Sequence, residues 1–176
     1  MAALRQDAIA LLKADHRKVA ALFEKFEKAR TGATKRRLAN EICAELVTHT
    51  TIEEEIFYPA CKGKIENDLL SESYVEHDGA KVLIAEIQAG DPEHQFFDAK
   101  MKVLSEDIEH HVEEEEKRSK GVFAQARAAG IDMEALARRM LERKRQLAAQ
   151  TAKQGPAAPT TRTFTGHRLE TGEPPA

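Results

Sequence analysis

Residues 49–59 read HTTIEEEIFYP, and this stretch places His49 four residues before Glu53. Side chains four apart stack on one face of an α-helix, with their Cβ atoms roughly 5–6 Å apart. An imidazole and a carboxylate placed in this way can bind one cation, or two neighbouring cations through the two carboxylate oxygens. The stretch therefore predicts a helix that offers a nitrogen and an oxygen ligand to a metal site.

The same spacing recurs in residues 110–116, which read HHVEEEE. Two registers are available, His111 with Glu115 and His110 with Glu114. The residues three and seven positions before His111 are both apolar, whereas the residue three before His110 is acidic. This pattern places His111 and Glu115 on the buried face of the helix. The other glutamates of the two acidic runs are expected to be solvated.

Four histidines lie on the apolar stripes of four successive helical segments: His16, His49, His77 and His111. Burial of an imidazole or a carboxylate costs free energy unless the group is paired or bound to a cation. Helices packed together would point the four imidazoles and two carboxylates at one internal position. The remaining histidines, His94, His110 and His167, are expected to be solvated.

The chain contains helix-forming residues throughout and has no alternating strand pattern. Stop signals at Thr31-Gly32 and Gly90-Asp91-Pro92 separate the segments, and Pro59 predicts a kink or frayed turn. We expect helices over roughly 5–30, 34–61 and 65–89 and from about residue 93, the last weakened by Gly121. Short connections favour an all-α, antiparallel up-down four-helix bundle.

Three regions follow from this pattern: the bundle over 1–129, an amphipathic C-terminal helix over 130–153 and a disordered tail over 154–176. The polar side of the C-terminal helix is basic, and it is expected to be a solvated face, with a homo-oligomer contact as the alternative. Its basic residues are Arg138, Arg139, Arg143, Lys144 and Arg145.

The composition is that of a soluble domain, with 41% hydrophobic and 32% charged residues in 176 residues. A formal net charge of −3 gives no reason to expect nucleic acid as the main partner. No apolar run approaches the roughly 20 residues that cross a bilayer. Cys43 and Cys61 lie on the same predicted helix, too far apart to form a disulfide. Unpaired cysteines and no signal-peptide pattern predict a cytoplasmic protein.

The donor set also limits the metal. Imidazole and carboxylate without thiolate suit iron, manganese or zinc. Structural zinc sites usually have four ligands, often including cysteine, and six candidates are too many for one such ion. Two iron ions bridged by carboxylates fit the count better, and bundle cores hold di-iron centres of this kind.

At these residues the chain resembles the hemerythrin-like family, the HHE cation-binding domain, over roughly residues 5–129. The segments that carry the resemblance are Ala14-Asp15-His16, residues 49–59, Glu76-His77 and residues 110–116. The resemblance implies a non-haem di-iron centre with two carboxylates bridging the irons. The implied ligands are His16, His49, Glu53, His77, His111 and Glu115.

The chain departs from the family pattern at Lys81, where hemerythrins proper often have a second histidine four residues after the one at His77. One iron would then have a more open coordination sphere, or would bind water or another side chain. Tyr74 is a candidate for that ligand, although a core aromatic role is favoured for it. The departure speaks against reversible oxygen carriage more than against metal binding.

The expected function is a di-iron protein that binds or reacts with a small oxidant such as dioxygen, peroxide or nitric oxide. A non-enzymatic binder of iron or another divalent ion, used for sensing or storage, is the alternative. A third reading is a plain helical bundle whose fifth helix mediates assembly.

Overall fold

The computed structural model describes residues 7–166 and residue 172, and the regular structure in this part of the chain is helical. A π-helical turn at Glu53–Phe57 joins the second helix to the third. The helices are α1 (Ala8–Glu27), α2 (Gly32–Ile52), α3 (Tyr58–Cys61), α4 (Asn67–Ala89), α5 (Phe97–Glu116), α6 (Val122–Ala128) and α7 (Met133–Gln154).

Side-chain caps fix where three of the helices begin. The side chains of Asp7, Thr31 and Asp132 accept hydrogen bonds from backbone N–H groups of the first turns of α1, α2 and α7. Such caps satisfy N–H groups that have no partner within the helix. These boundaries lie within a few residues of those expected from the sequence, except that α5 begins at Phe97 rather than near residue 93.

The helix predicted over 34–61 is not continuous, because the chain widens into a π-turn at Glu53–Phe57. Within this turn the Tyr58 N–H donates to the carbonyl oxygen of Glu53, five residues earlier. Pro59 follows, and a proline ring crowds the carbonyl four residues before it in a regular α-helix. The irregularity predicted at Pro59 therefore appears one turn earlier, where the wider turn accommodates it.

A tight turn ends α5 at Glu116, so this helix does not continue to residue 129. Gly121 lies against the end of α5, and a Cβ atom there would be 2.5 Å from the Glu115 carbonyl oxygen. Only glycine allows this close approach. The chain then forms the short helix α6 before α7.

Four helices pack in a ring, with α1 against α2, α2 against α4, α4 against α5, and α5 against α1. Helix α7 packs across α1, α2 and the π-turn. Among the helices of residues 7–166, none combines the length and the apolar character required to cross a membrane.

The apolar interior is divided into two clusters. The first contains Leu12, Ile52 and Leu70 together with residues of α6 and α7. The second contains Val19, Leu46, Ala80 and Leu104. On α1, α2 and α4 a buried histidine lies between a residue of one cluster and a residue of the other, and on α5 the buried His111 follows Leu104. A polar layer therefore separates the two apolar clusters.

The tail was predicted to be disordered from residue 154 onward. Residues 155–166 contain no helix, but the backbone N–H groups of Arg162, Thr163 and Phe164 donate to the buried carboxylate of Asp78. This part of the tail is therefore bound to α4. The prediction for residues 167–171 and 173–176 lies outside the described residues.

Candidate metal centre

All six side chains that the sequence predicted as ligands are buried in the polar layer. The exposed fraction is largest for His16, at 7%, and Glu53 is fully buried. The contributions are His16 from α1, His49 from α2, Glu53 from the π-turn, His77 from α4, and His111 and Glu115 from α5.

Two groups of donor atoms lie within reach of a cation. The first contains His16, His49, Glu53 and Glu115, and the second contains Glu53, His77 and His111. Within each group the donor atoms lie within 4.8 Å of one another, and Glu53 belongs to both.

The distances within the groups are short. The Nε2 atoms of His16 and His49 are 3.1 Å apart, and those of His77 and His111 are also 3.1 Å apart. Glu53 Oε2 lies between the pairs, 3.2 Å from His49 Nε2 and 3.3 Å from His77 Nε2.

Glu115 reaches both groups as well. Its Oε2 atom is 3.5 Å from the Nε2 atom of His16 and 3.7 Å from that of His111. Both carboxylates are therefore placed between the two histidine pairs, as bridging ligands must be.

The outer nitrogen of each imidazole faces a second carboxylate. The Nδ1 atoms are 2.8 Å from Glu116 for His16, 3.0 Å from Glu54 for His77, 2.6 Å from Glu76 for His111 and 3.6 Å from Asp15 for His49. Metal-binding histidines commonly donate their other N–H to a carboxylate, which fixes the tautomer and the ring orientation. This outer set was not predicted from the sequence: Glu54 and Glu116 were expected to be solvated, because neither shares a face with a histidine of its own helix.

These outer contacts determine what the inner atoms can do. When a ring is neutral with its proton on Nδ1, its Nε2 atom presents a lone pair to the interior, where it can bind a cation. Glu53 Oε1 and Glu115 Oε2 are also buried without a hydrogen-bond partner among the described residues. Bound cations would compensate these groups, so the residues present fit a metal centre.

The two histidines of the first group have opposite pKa shifts. Burial, followed by the charge of His49, lowers the pKa of His16 to about 4. For His49 burial acts in the same direction, but the charge of Glu53 and the contact with Asp15 outweigh it and raise the pKa to about 10. Without a metal, His49 therefore retains a proton at neutral pH.

The two inner carboxylates also differ. Burial would raise the pKa of Glu53, but the neighbouring His49 and His77 hold it well below its usual range. Burial and the charge of Glu53 raise the pKa of Glu115 to about 8. Two buried carboxylates this close do not both ionise readily unless positive charge joins them.

Tyr58 is a functional candidate that sequence reasoning missed. Its hydroxyl donates to Glu115 Oε1 at 2.8 Å and lies 3.3 Å from His77 Nε2 and 3.4 Å from Glu53 Oε2. Burial and both carboxylates raise its pKa well above the usual range. Tyr58 is five residues after Glu53, a spacing that shares a face in a π-turn but not in the α-helix assumed from the sequence.

Lys81 and Tyr74, which were considered because the chain departs from the family pattern at Lys81, belong to neither donor group. Lys81 is buried, but its Nζ atom contacts Glu54 and Asp78 rather than the inner donors. Tyr74 is partly exposed and packs edge-on against Tyr58, with ring centroids 5.3 Å apart. This arrangement agrees with the aromatic packing role favoured for Tyr74.

The remaining described histidines and the two cysteines belong to neither donor group. The His110 side chain is 64% exposed, in contrast to the buried His111, and His94 is exposed. His167 lies outside the described residues. Cys43 and Cys61 are free and buried in different apolar clusters, and burial raises the pKa of both thiols to about 12.

The basic side of α7 is only partly a solvated face. Arg143 pairs with Glu55 at 2.7 Å, and Lys144 pairs with Asp15 at 2.6 Å. These ion pairs attach α7 to the π-turn and to α1, whereas Arg145 pairs with Glu142 of α7 itself at 3.2 Å.

A small apolar cavity adjoins the four histidines. Val19, Leu46, Ile108 and Val112 contribute to its lining, and the centre of a water-sized molecule can occupy about 10 Å³ of it. This is about the minimum that holds one water-sized molecule.

Comparison with known proteins identifies the family. The hemerythrin HHE cation binding domain family matches residues 7–122. A hemerythrin HHE cation binding domain-containing protein from Mycobacterium kansasii has a similar fold, with a TM-score of 0.69 at 20% identity, covering 86% of this chain and 96% of that one. A DNA nickase from Nostoc sp. is 26% identical over 106 residues, and the match covers 60% of this chain but 30% of that enzyme.

The family match covers most of the chain and includes all four helices that carry the buried histidines. The structural likeness supports the same fold, whereas the chain spans less than a third of the nickase. The chain belongs to the hemerythrin HHE cation binding domain family and is a metal-binding domain with a His/Glu cluster in its core.

Proposed function

We propose that this chain is a non-haem di-iron protein that binds or reacts with a small oxidant such as dioxygen, peroxide or nitric oxide. His16 and His49 would hold one iron ion, and His77 and His111 the other. Glu53 and Glu115 would bridge the two ions.

The main support for this proposal is that the donor atoms form two groups that share Glu53. Two histidine pairs, each with Nε2 atoms 3.1 Å apart, face a shared carboxylate oxygen of Glu53. A single ion would need only one such pair as ligands, whereas two ions would account for all six side chains. Nitrogen and oxygen donors without thiolate favour iron, with zinc and manganese as weaker alternatives.

When bound, the iron ions would supply redox chemistry and an open position for a small ligand. The side chains around them would restrict what reaches that position. The cavity beside the histidines is apolar and has room for only about one water-sized molecule, which favours a diatomic or similarly small ligand. Tyr58 offers a hydroxyl donor at Glu115, and burial, which raises its pKa, keeps this hydroxyl protonated.

The helix directions are also part of this proposal. Along α1 and α4 the chain passes from the first apolar cluster to the second, and along α2 it passes back. This order supports the predicted antiparallel up-down bundle. The cytoplasmic location remains a prediction, which the two free cysteines support. A homo-oligomer contact through α7 also remains a prediction.

A non-enzymatic role as an iron or divalent-metal binder is the alternative. The complete burial of Glu53 and the small size of the cavity favour it, because they leave little room for a reactant.

Metal analysis of protein purified without chelator tests the proposal. We expect two iron ions per chain and a visible absorption spectrum, and Glu53→Gln should lose both. Glu55→Gln changes a half-exposed carboxylate of the same acidic run and serves as the control. Rapid peroxide turnover by the iron-loaded protein would favour the enzyme over the binder. A metal-free protein whose melting temperature is unchanged by anaerobic ferrous iron would contradict both.

A further inference from the structure

Two elements that follow the family-matched region return to the outer carboxylates of the cluster. Helix α7 does so through Lys144, and the tail does so through Arg162. Each places a cation beside a carboxylate that faces a candidate ligand. The tail contact is the more extensive of the two.

The tail contacts the carboxylate of Glu54 through Arg162. The Glu54 Oε2 atom accepts from Arg162 Nε at 2.5 Å, while its Oε1 atom is 2.6 Å from Lys81 Nζ and 3.0 Å from His77 Nδ1. Arg162 is therefore connected to His77 through a single side chain.

The tail backbone also binds the carboxylate of Asp78. This carboxylate accepts from the N–H groups of Arg162 at 2.8 Å, Thr163 at 2.5 Å and Phe164 at 3.3 Å, and from the Thr163 hydroxyl at 2.7 Å. Successive backbone N–H groups that converge in this way form an anion-binding nest. Asp78 is fully buried although residues 161–166 are exposed, so the tail forms part of its cover.

The charges explain why the tail binds at this position. Glu54, Asp78 and Lys81 are each at most 5% exposed, and together they carry one excess negative charge. Arg162 brings the fourth charge, and the group of four is then neutral. A buried carboxylate without such compensation is costly.

We propose that residues 161–164 are a C-terminal latch, which binds Asp78 and positions His77 through Arg162 and Glu54. Arg162 is a positioning residue for the second group of donors. Docking of the latch and binding of a cation by His77 and His111 then stabilise each other. This inference rests on the metal site of the proposed function.

The physical basis is the role of outer partners in metal sites. A carboxylate that accepts from Nδ1 fixes the ring and raises the basicity of Nε2, and loss of such a partner typically lowers metal affinity by 10–100-fold. If the latch favours the metal-bound arrangement, the metal must favour the docked latch to the same extent.

Release of iron to a chelator tests the first half of the proposal. In Arg162→Ala we expect one of the two ferrous ions to leave about tenfold faster than in the wild type, and the other to leave at the wild-type rate. Arg145→Ala is the matched control, because it removes an exposed arginine of α7 that pairs with Glu142 of the same helix rather than with an outer carboxylate of the cluster. Wild-type release of both ions in Arg162→Ala would overturn the proposal.

Cleavage by trypsin after Arg162 tests the second half without any activity measurement. Ferrous iron should slow this cleavage in the wild type and should have little effect in Asp78→Asn, which weakens the nest. Equal cleavage of metal-free wild type and Asp78→Asn would show that the latch is not docked. A wild type that binds no iron would instead overturn the proposed function, while this metal-free comparison would still report on the latch.

Discussion

The hydroxyl group of Tyr58 contacts residues of both donor groups of the centre. It donates to Glu115 and lies within 3.4 Å of Glu53 and 3.3 Å of His77. No charge or metal-ligand motif marks this residue in the sequence. Its position depends on the π-turn, which changes the spacing of residues that share a face.

Tyr58→Phe removes this donor and keeps the ring. We expect the free energy of unfolding of the metal-free protein to fall by about 1–2 kcal/mol, because Glu115 loses a buried hydrogen bond. The visible spectrum of the iron-loaded protein should also shift. Tyr74→Phe alters the neighbouring, partly exposed tyrosine and should change neither quantity; equal effects of the two substitutions would contradict the role of Tyr58. Denaturant titration and absorption spectroscopy provide the measurements.

The sequence located the inner residues of the candidate centre because helical periodicity applies within each helix. His49 with Glu53, and His111 with Glu115, share faces wherever a regular helix continues between them. The outer carboxylates Glu54 and Glu76 could not be predicted, because each faces a histidine on another helix. Pairing across helices depends on how the helices rotate against each other, and the periodicity within each helix does not give that rotation.

Among the elements, the π-turn at Glu53–Phe57 contains one residue more than an α-helix would need between Glu53 and Tyr58. π-turns are frequent at functional sites. The sequence indicated a disturbance in this region through Pro59 but not its form, because a proline is compatible with a kink, a frayed end or a wider turn.

Deletion of Glu55 should convert the π-turn into a regular helical turn. Tyr58 would then lie four rather than five residues after Glu53 and would keep its face, so we expect iron stoichiometry to be retained. Pro59 would crowd the helix again, at a cost of up to about 3 kcal/mol. Circular dichroism and metal analysis measure the outcome.

Deletion of Ala44 is the control, because it lies in the regular part of α2. It rotates the preceding residues of the helix by about 100° relative to His49. We expect loss of both fold and metal binding in this variant. If both deletions abolished fold and metal binding to the same extent, the π-turn would not tolerate the loss of a residue better than the regular part of α2 does.

At the scale of the whole molecule, α7 is packed into the first apolar cluster rather than appended to the bundle. Met133, Leu136 and Met140 belong to the same cluster as Leu12 and Ile52. The sequence predicted an amphipathic helix here but not its position, since an apolar stripe is equally typical of a helix that packs within the chain and of one that packs against a second copy.

Met140→Ala should lower the free energy of unfolding by about 2–5 kcal/mol, because it leaves a cavity at a fully buried position. Leu141→Ala, at the next and only partly buried position, should cost less. A single unfolding transition is expected in both variants. Separate melting of α7 in thermal denaturation followed by circular dichroism would contradict its place in the common core.

Metal binding should release protons at neutral pH. With pKa values of about 10 for His49 and about 8 for Glu115, both groups are mainly protonated at pH 7 in the metal-free protein, and both must lose the proton to bind a cation. We expect both groups to release protons on metal binding at pH 7, and their contribution should fall toward zero as the pH rises through both pKa values. Calorimetric titrations in buffers of different ionisation enthalpy measure this number, and no proton release at pH 7 would contradict the assignment.

The separation of the apolar interior into two clusters also fixes the axial register of the helices. If α4 slid by one turn, about 5.4 Å, Lys81 would replace His77 opposite the other imidazoles, and His77 would enter hydrocarbon. The second donor group would then lose one of its two imidazoles. Slipped or swapped assemblies are thereby disfavoured, much as one buried polar residue sets the alignment of a coiled coil. The ligands of the centre thus also help to define which alignment of the helices is native.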